Sequence, residues 1–574
     1  MVSMAAQRRR QAWIQVLLVG GITIALNVAG FFLRQRIDLT EDQRYTLAEA
    51  TRQMLQAQEE VIFVRVYLEG DQLPPGFDEL RQATRNLLDE FRAIAGDRIQ
   101  YEFIDPNAIE NRDKRRRLYK QLVSQGLEQI NIEVRNDKGG TRNLPVFPGA
   151  VVTLGSRDVP VMLLKSQLGL PPQEQLNNSV ASLEFGLANA IRKVQRTEKP
   201  KIGFTIGHGE YQGRYTQSIR NELEQYYRVD RVDLSGRLPQ DLYQYEVLVL
   251  PKPDTTFAEY DKYKLDQYIM HGGRVLWLLD ALVADMDSLN RNGVAVTADY
   301  PLNLIDDQLF NYGARINRTL VQDMQCNAIP VVTGYLGGRP QTSMKPWPYF
   351  PLISPRGEHP IVDKLNTLLF QFVNTIDTVG DPSIRKTVLL HTSEYTRVMR
   401  HPVRINLQLV REPLPPRMFS RSREPVAVLL EGRFGSNYKN RIPPEKLRTD
   451  SLYRDFLPQA ETETRMIVVA DGDIIANQVS NTRQGQKAYP LGYDRYTQQS
   501  FGNRDFILNC IDYLAGEDDL MALRAKEFKL RLLDKAQVKE EKRFWRVLNL
   551  AAPVVFVILF GILYHGVRRY RYAR

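Results

Sequence analysis

"KIGFTIGHGE", residues 201–210, places a short, partly β-branched apolar run directly before a histidine held between two glycines. Such a run is expected of a strand buried on both faces of a parallel sheet, and glycines are needed at a tight strand-to-helix turn. The segments that follow repeat the alternation. "TQSIRNELEQYY" brings Ile219, Leu223, Tyr226 and Tyr227 onto one helix face, "EVLVLPKP" is a second buried strand, and "YKLDQYIMHGGRVLWLLD" reads as helix, Gly-Gly turn and strand. This pattern predicts a doubly wound α/β domain over 199–518, completed by the strand "RMIVVADGDII" (465–475) and the helix "RDFILNCIDYLAG" (504–516). An insertion near 340–460 interrupts it. Its Pro-rich pieces, "KPWPYFPLISPRGEHP" and "LVREPLPPRMFSRSREPVAVLLEGRF", suit extended loops and edge strands.

Upstream, residues 34–198 predict a separate α/β domain. "VIFVRVYL" (61–68) and "IQYEFI" (99–104) are strands, and between them Phe77, Leu80, Thr84, Leu87, Leu88, Phe91 and Ile94 form one helical stripe. Thr46 and Glu49 have the spacing of a capping box opening a short helix before this β-α-β unit. A basic helix around "DKRRRLYKQLVSQG" and three short strands near 130–135, 150–154 and 158–164 follow, then a helix carrying Leu183, Leu187, Ile191 and Val194. The order is thioredoxin-like but lacks any C-x-x-C pair, which excludes that redox chemistry.

Two segments are long and uncharged enough to cross a membrane: Ala12 to Leu33 and Val547 to Val567. The apolar core of the first exceeds that of a secretory signal and no small-x-small cleavage site follows it, so it is read as a retained anchor. Two spans put both ends, 1–11 and 568–574, on one side, and their arginines make that side cytoplasmic. The part between is then periplasmic, ending in a charged helical stem over 519–546. Seven basic tail residues (Arg8, Arg9, Arg10, Arg568, Arg569, Arg571 and Arg574) account for seven of the net +10, leaving +3 for the rest. That balance excludes a nucleic-acid footprint. Cys326 and Cys510 are the only cysteines; they form no disulfide framework, although a single bridge between them stays open.

Chemistry-bearing motifs are sparse. There is no G-x-x-x-x-G-K-[ST] loop, so any ATP is spent by another subunit, and no G-x-S-x-G elbow. None of His208, His271, His359, His391, His401 and His565 has metal-ligand spacing with another, and no metal or cofactor is expected. His208 and Glu210 lie outside the carboxyl end of a parallel strand, where open α/β sheets bind ligands. Asp280, Asp471 and Asp473 end further candidate strands. His208, Glu210, Asp280 and Asp471 are therefore the candidate lining of a crevice for a ligand or partner, with turn-capping as the competing role of the aspartates. No catalytic residue is assigned.

The stretches "DLTEDQRYTL", "VYLEGDQLPPGFDELRQATRNLLDEFRA" with "YEFIDP", "KIGFTIGHGE", "PLISPRGEHPI", "AVLLEGRF" and "NRDFILNCIDYLAGEDDLMALRAKEF" together resemble the GldG family. These are gliding motility-associated ABC transporter substrate-binding subunits of Bacteroidetes, with auxiliary-component relatives. The resemblance implies a multi-span permease (GldF-like), a separate ATP-binding subunit (GldA-like) and an inner-membrane location. It also implies an α/β domain similar to an intraflagellar transport protein and to glutamine amidotransferases. Those amidotransferases place a cysteine at an elbow that this chain lacks, so the fold is expected without the chemistry. The resulting expectation is a non-catalytic, membrane-anchored periplasmic accessory subunit serving gliding motility or envelope transport. The alternatives are a scaffold that grips an envelope protein through the Pro-rich insertion, and a periplasmic hydrolase using His208 and Glu210.

Overall fold

Strand β1 (Ile62–Val66) buries Ile62, Val64 and Val66 and turns Phe63 outward, the period-2 pattern of a sheet with one core face. The computed structural model describes residues 47–516, apart from 71–72, 136–140, 166, 168–169, 197, 337–338, 358, 413, 443–444, 446–449, 451–452 and 483–484. It also describes 535–572 and a few positions between 14 and 25. Residues 45–527 and the terminal segments form separate units.

Within the larger unit, a short helix α1 (Glu49–Gln56) precedes β1. Its N-cap is Ala48, which carries no side-chain cap, and Thr46 of the expected capping box lies outside the described residues. A tertiary contact takes its place, because the Ala48 N–H donates to Glu184 Oε1 at 2.7 Å. Helix α2 (Pro75–Ala95) buries Leu80, Thr84, Leu88 and Phe91, as its stripe predicts, and leads to β2 (Ile99–Phe103), parallel to β1. Helix α3 (Arg112–Ser124) is capped by Asn111, whose side chain accepts from the Asp113 and Lys114 N–H groups.

Next come β3 (Ile130–Arg135), β4 (Thr141–Val146), β5 (Gly149–Leu154), β6 (Arg157–Met162) and α4 (Pro172–Gln195). Strand β4, which pairs only with β3, has no counterpart in the sequence reading, since the proline in "TRNLPV" hides it. The four-stranded sheet runs β2-β1-β5-β6, with β5 antiparallel to β1. Its core face holds Val64, Val66, Ala150 and Val152 against Leu88 and Phe91 of α2 and Leu187 and Ile191 of α4. Val151 points the other way and meets Leu122 of α3, so α3 covers the opposite face.

The second sheet has seven strands. Five are parallel: β7 (Lys201–Ile206), β8 (Arg228–Asp233), β9 (Val247–Pro251), β10 (Arg274–Leu278) and Thr464–Val469. Their apolar runs are continuous because both faces are covered. Leu248, Leu250, Val275 and Trp277 enter one core, and Val247, Val249, Leu276 and Leu278 the other. Helices α5 (Gln217–Tyr226) and α6 (Glu259–Met270) follow β7 and β9.

Between β10 and Thr464–Val469 lie β11 (Thr319–Asp323), a long hairpin of β12 (Cys326–Leu336) and β13 (Arg339–Ile353), and two strands, β14 (Arg385–His391) and β15 (Pro425–Gly432). With Thr464–Val469 as β16, the order is β14-β15-β16-β10-β9-β7-β8. The stretch read as an insertion thus supplies two strands to the main sheet, of which β15 runs against the rest, so the sheet is mixed rather than wholly parallel. Helix α7 (Asn503–Leu514) closes the unit. Cys326 and Cys510 are both free thiols, so no bridge joins them.

In the terminal unit, α8 (Lys535–Tyr572) is one helix of 38 residues in which Phe544–Tyr570 is long and apolar enough to cross a membrane. At ~1.5 Å per residue it exceeds the ~30 Å hydrocarbon thickness. The other expected span, 12–33, lies mostly outside the described residues, and the upper stem, 519–534, lies wholly outside them.

Candidate functional site

The sheet changes winding direction at β7 and β9, because the chain leaves β7 outward to β8 and returns on the other side to β9. Ligands of open α/β sheets bind outside the carboxyl ends of strands at such a point. Here two loops meet instead. The Asp254 and Thr255 N–H groups donate to the His208 carbonyl at 2.9 and 3.2 Å, and the Tyr211 N–H donates to the Pro251 carbonyl at 2.8 Å. Gly209 has φ +81°, and a Cβ there would lie 1.5 Å from Asp254 Oδ1. Glycine is therefore what allows the β7 loop to lie on the β9 loop.

His208 is 7% exposed, stacked on Phe257 at 3.8 Å between ring centres. Its Nε2 lies 3.3 Å from Asp261 Oδ2 on α6, and its Nδ1 lies 3.5 Å from Glu210 Oε1, a charge contact at the edge of hydrogen-bond reach. Glu210 Oε2 accepts from the His208 N–H at 2.6 Å. Lys264, also buried, donates to Asp261 Oδ1 at 2.9 Å and to the Leu234 carbonyl at 2.6 Å. Burial alone lowers the imidazole pKa, but Glu210 and Asp261 outweigh it and raise it above 6.5. Burial likewise raises the Glu210 carboxyl, while His208 and the surrounding hydrogen bonds bring it below its ordinary value.

A raised histidine pKa stabilises the fold fully below the unfolded value, and that contribution is lost as pH rises through the folded one. The unfolding midpoint is therefore expected to fall as pH rises from about 6.5. Histidine Cε1–H shifts followed over the same range assign the change. A midpoint that rises through that window would remove the charged His208 from the account.

Asp280 and Asp471 meet in a second cluster, one strand further along. Lys252, at the end of β9, places Nζ 2.9 Å from Asp280 Oδ2 and 2.6 Å from Asp473 Oδ2. Asp280 Oδ1 accepts from the Gly472 N–H, and Asp471 accepts from the Gln371 and Asp473 N–H groups. Tyr211 Oη donates to Asp473 Oδ1 at 2.6 Å, so the residue after Glu210 is what joins the two clusters.

Burial would lower the Lys252 ammonium pKa, yet Asp280 and Asp473 hold it well above its ordinary value. Burial first, then neighbouring carboxylates, push Asp471 well up, and burial raises Asp280 against the pull of Lys252. Oxygens of Asp280, Asp471 and Asp473 lie within 4.8 Å of one another, near enough to share a cation. The Lys252 ammonium already serves two of them as that cation.

All four residues expected in the crevice are thus buried, as two linked networks rather than one open lining. Lys252, Asp261, Lys264 and Tyr211 are absent from the expected set. Lys252 had a visible sign, a lone cation between prolines at the end of the apolar run "VLVLPKP". Asp261 had none, because α6 carries charged residues along its length and yet buries Asp261 through Met270 without a break.

An uncharacterized protein of Borreliella burgdorferi is similar at 18% identity over 421 residues, covering 71% of this chain and 74% of its own. Among solved structures, the mmIFT52 N-terminal domain aligns at 13% identity and a TM-score of 0.31, covering 55% of this chain and 97% of that domain, a likeness too distant to carry an argument. Residues 41–153 match a domain of unknown function, DUF7088. Residues 199–510, the stretch that holds the seven-stranded sheet and both networks, match the model described as ABC-type uncharacterized transport system, and the chain belongs to that auxiliary-component family.

Proposed function

We propose that this chain is a non-catalytic, membrane-anchored accessory subunit of an ABC-type transport complex, working beside a multi-span permease and a separate ATP-binding subunit. One observation carries the non-catalytic part: His208, Glu210, Asp280 and Asp471 are buried and committed to one another, to Lys252 and to backbone N–H groups. A general acid or base must reach its substrate. The family supports the transport setting, and the apolar helix Phe544–Tyr570 supports the anchor.

The finer reading keeps two domains, 34–198 and 199–518, on the periplasmic side. The order β2-β1-β5-β6 supports a thioredoxin-like first domain, and five parallel strands with a glycine-rich turn after β7 support an amidotransferase-like second one. Two spans with both ends cytoplasmic, and a role in gliding motility or envelope transport, belong to the same reading. Purification of the tagged protein in mild detergent, with stoichiometric partners identified by mass spectrometry, is expected to recover an ATPase and a permease. Recovery with envelope structural proteins alone would replace the accessory role with that of a scaffold.

A further inference from the structure

Helix α3 carries the densest charge in the described part of the chain. Six of the nine residues from Arg112 to Lys120 are Arg or Lys, with Asp113 the one acid among them. Leu118, Tyr119 and Leu122 fix the other side of the helix. Leu122 is fully buried, Tyr119 Oη donates to Asn107 Oδ1 at 2.6 Å, and the Tyr119 ring packs on Phe147. Arg115 turns back to the Ile109 carbonyl. Arg112, Lys114, Arg116, Arg117 and Lys120 are exposed, and among the described residues none has an ion-pair partner.

Five unpaired cations held on a rigid helix repel one another and gain from a polyanion. Positions 112, 116 and 120 repeat every four residues, so they form one ridge about 12 Å long on the exposed side, ending at Val123, itself exposed. This is a convex ridge rather than a pocket, with flexible side chains that make no fixed hydrogen bonds. It suits a laterally mobile array of like charges better than the fixed carboxylates of one protein partner.

We propose that this face of α3 docks on anionic phospholipid headgroups of the membrane that anchors the chain. The proposal rests on the anchoring part of the reading above, since a chain carrying a membrane-crossing helix is delivered to a bilayer surface. Basic clusters of four to eight residues bind anionic bilayers at about a factor of five per residue, within about a Debye length of the surface.

The full chain, reconstituted in nanodiscs of phosphatidylcholine alone or enriched in phosphatidylglycerol, is acetylated with a water-soluble reagent and the rates at Lys114 and Lys120 are read by mass spectrometry. Lys439, exposed and far along the chain, is the internal reference. The expected result is at least about fivefold slower modification of Lys114 and Lys120 in the anionic discs, abolished by high salt. Protection of Lys114 is lost on R112E/R116E/K120E and kept on R112K/R116K, with circular dichroism confirming folded protein. Equal rates in both discs overturn the proposal, as does protection seen in native membranes but in neither disc, which would assign the face to an acidic protein partner. Failure of the chain to enter discs at all would instead refute the anchor.

Discussion

Lys252→Met is expected to cost about 3–5 kcal/mol of folding stability, the range found when one partner of a buried charge network is removed. Among the described residues, the ammonium is the only cation placed against Asp280 and Asp473, at 2.9 and 2.6 Å, and all three side chains are largely buried. Without it, three carboxyls converge with their charge balanced only by backbone N–H groups and Tyr211. The sign of the pH dependence follows from the raised pKa values of Asp280 and Asp471, both pushed up by burial. A carboxyl raised in the folded state favours folding at low pH and loses that contribution as pH rises through its folded value. The deficit of the variant against the wild type should therefore be largest at neutral and alkaline pH and shrink on acidification.

Urea unfolding of the detergent-solubilised protein at several pH values checks both parts. A pH-independent deficit would show that packing rather than charge is lost. A double variant, Lys252→Met with Asp473→Asn, should recover part of the cost, because contacting residues couple. The backbone adds a second reason for sensitivity here: Lys252 has φ +54°, and a Cβ on Gly472 would lie 2.5 Å from Lys252 Cβ. Gly472 is what lets the strained lysine turn sit against the β16 loop.

How far this arrangement could be read without coordinates depended on whether burial followed the apolar pattern. β7, β9, β10 and β16 each carry an apolar run buried on both faces, so alternation with helices was enough to assign them. The same rule fails for α6. "EYDKYKLDQYIM" has the composition of a solvated helix, yet Lys262 pairs with Glu259 and Asp307, and Asp266 accepts from Ser436, Asn437 and Tyr312. All of those partners except Glu259 come from residues 307–437, and no local periodicity reports pairing at that separation. The strands β14 and β15 were obscured because they lie in the stretch that reads as an insertion, although β14 pairs with β15 and β15 with β16 of the main sheet.

The site divides along the same line. Glycine spacing and strand ends pointed to His208, Glu210, Asp280 and Asp471, because such ends collect at one edge of a parallel sheet. What decides whether those groups are free or spent is the residues opposite them, Lys252 from β9 and Asp261 from α6. Paired carboxylates and a histidine look alike in sequence whether they flank a substrate or each other. Perturbed pKa values occur in both cases, so only access separates a reactive cluster from a structural one.

Glu210→Gln and Glu210→Ala separate the two roles of that residue. The side chain is fully buried, and its Oε2 accepts the His208 N–H at 2.6 Å. Alanine leaves that donor unmet and the imidazole with Asp261 alone, at an expected cost of about 2–3 kcal/mol. Glutamine keeps the acceptor and removes the charge, so the cost should be roughly half as large. It should also lower the His208 pKa, since Glu210 is the strongest influence raising it, and flatten the fall in stability with rising pH. If the network is structural, recovery of the permease and ATPase with either variant follows the folded fraction, and Glu210→Gln assembles as the wild type does wherever it is folded. If Glu210 instead acts on a substrate, Glu210→Gln retains stability and partners while the cellular function disappears, because an amide cannot take a proton as a carboxylate does. Function in cells, partner recovery and unfolding midpoint measured together on this one variant therefore decide between a spent crevice and a working one.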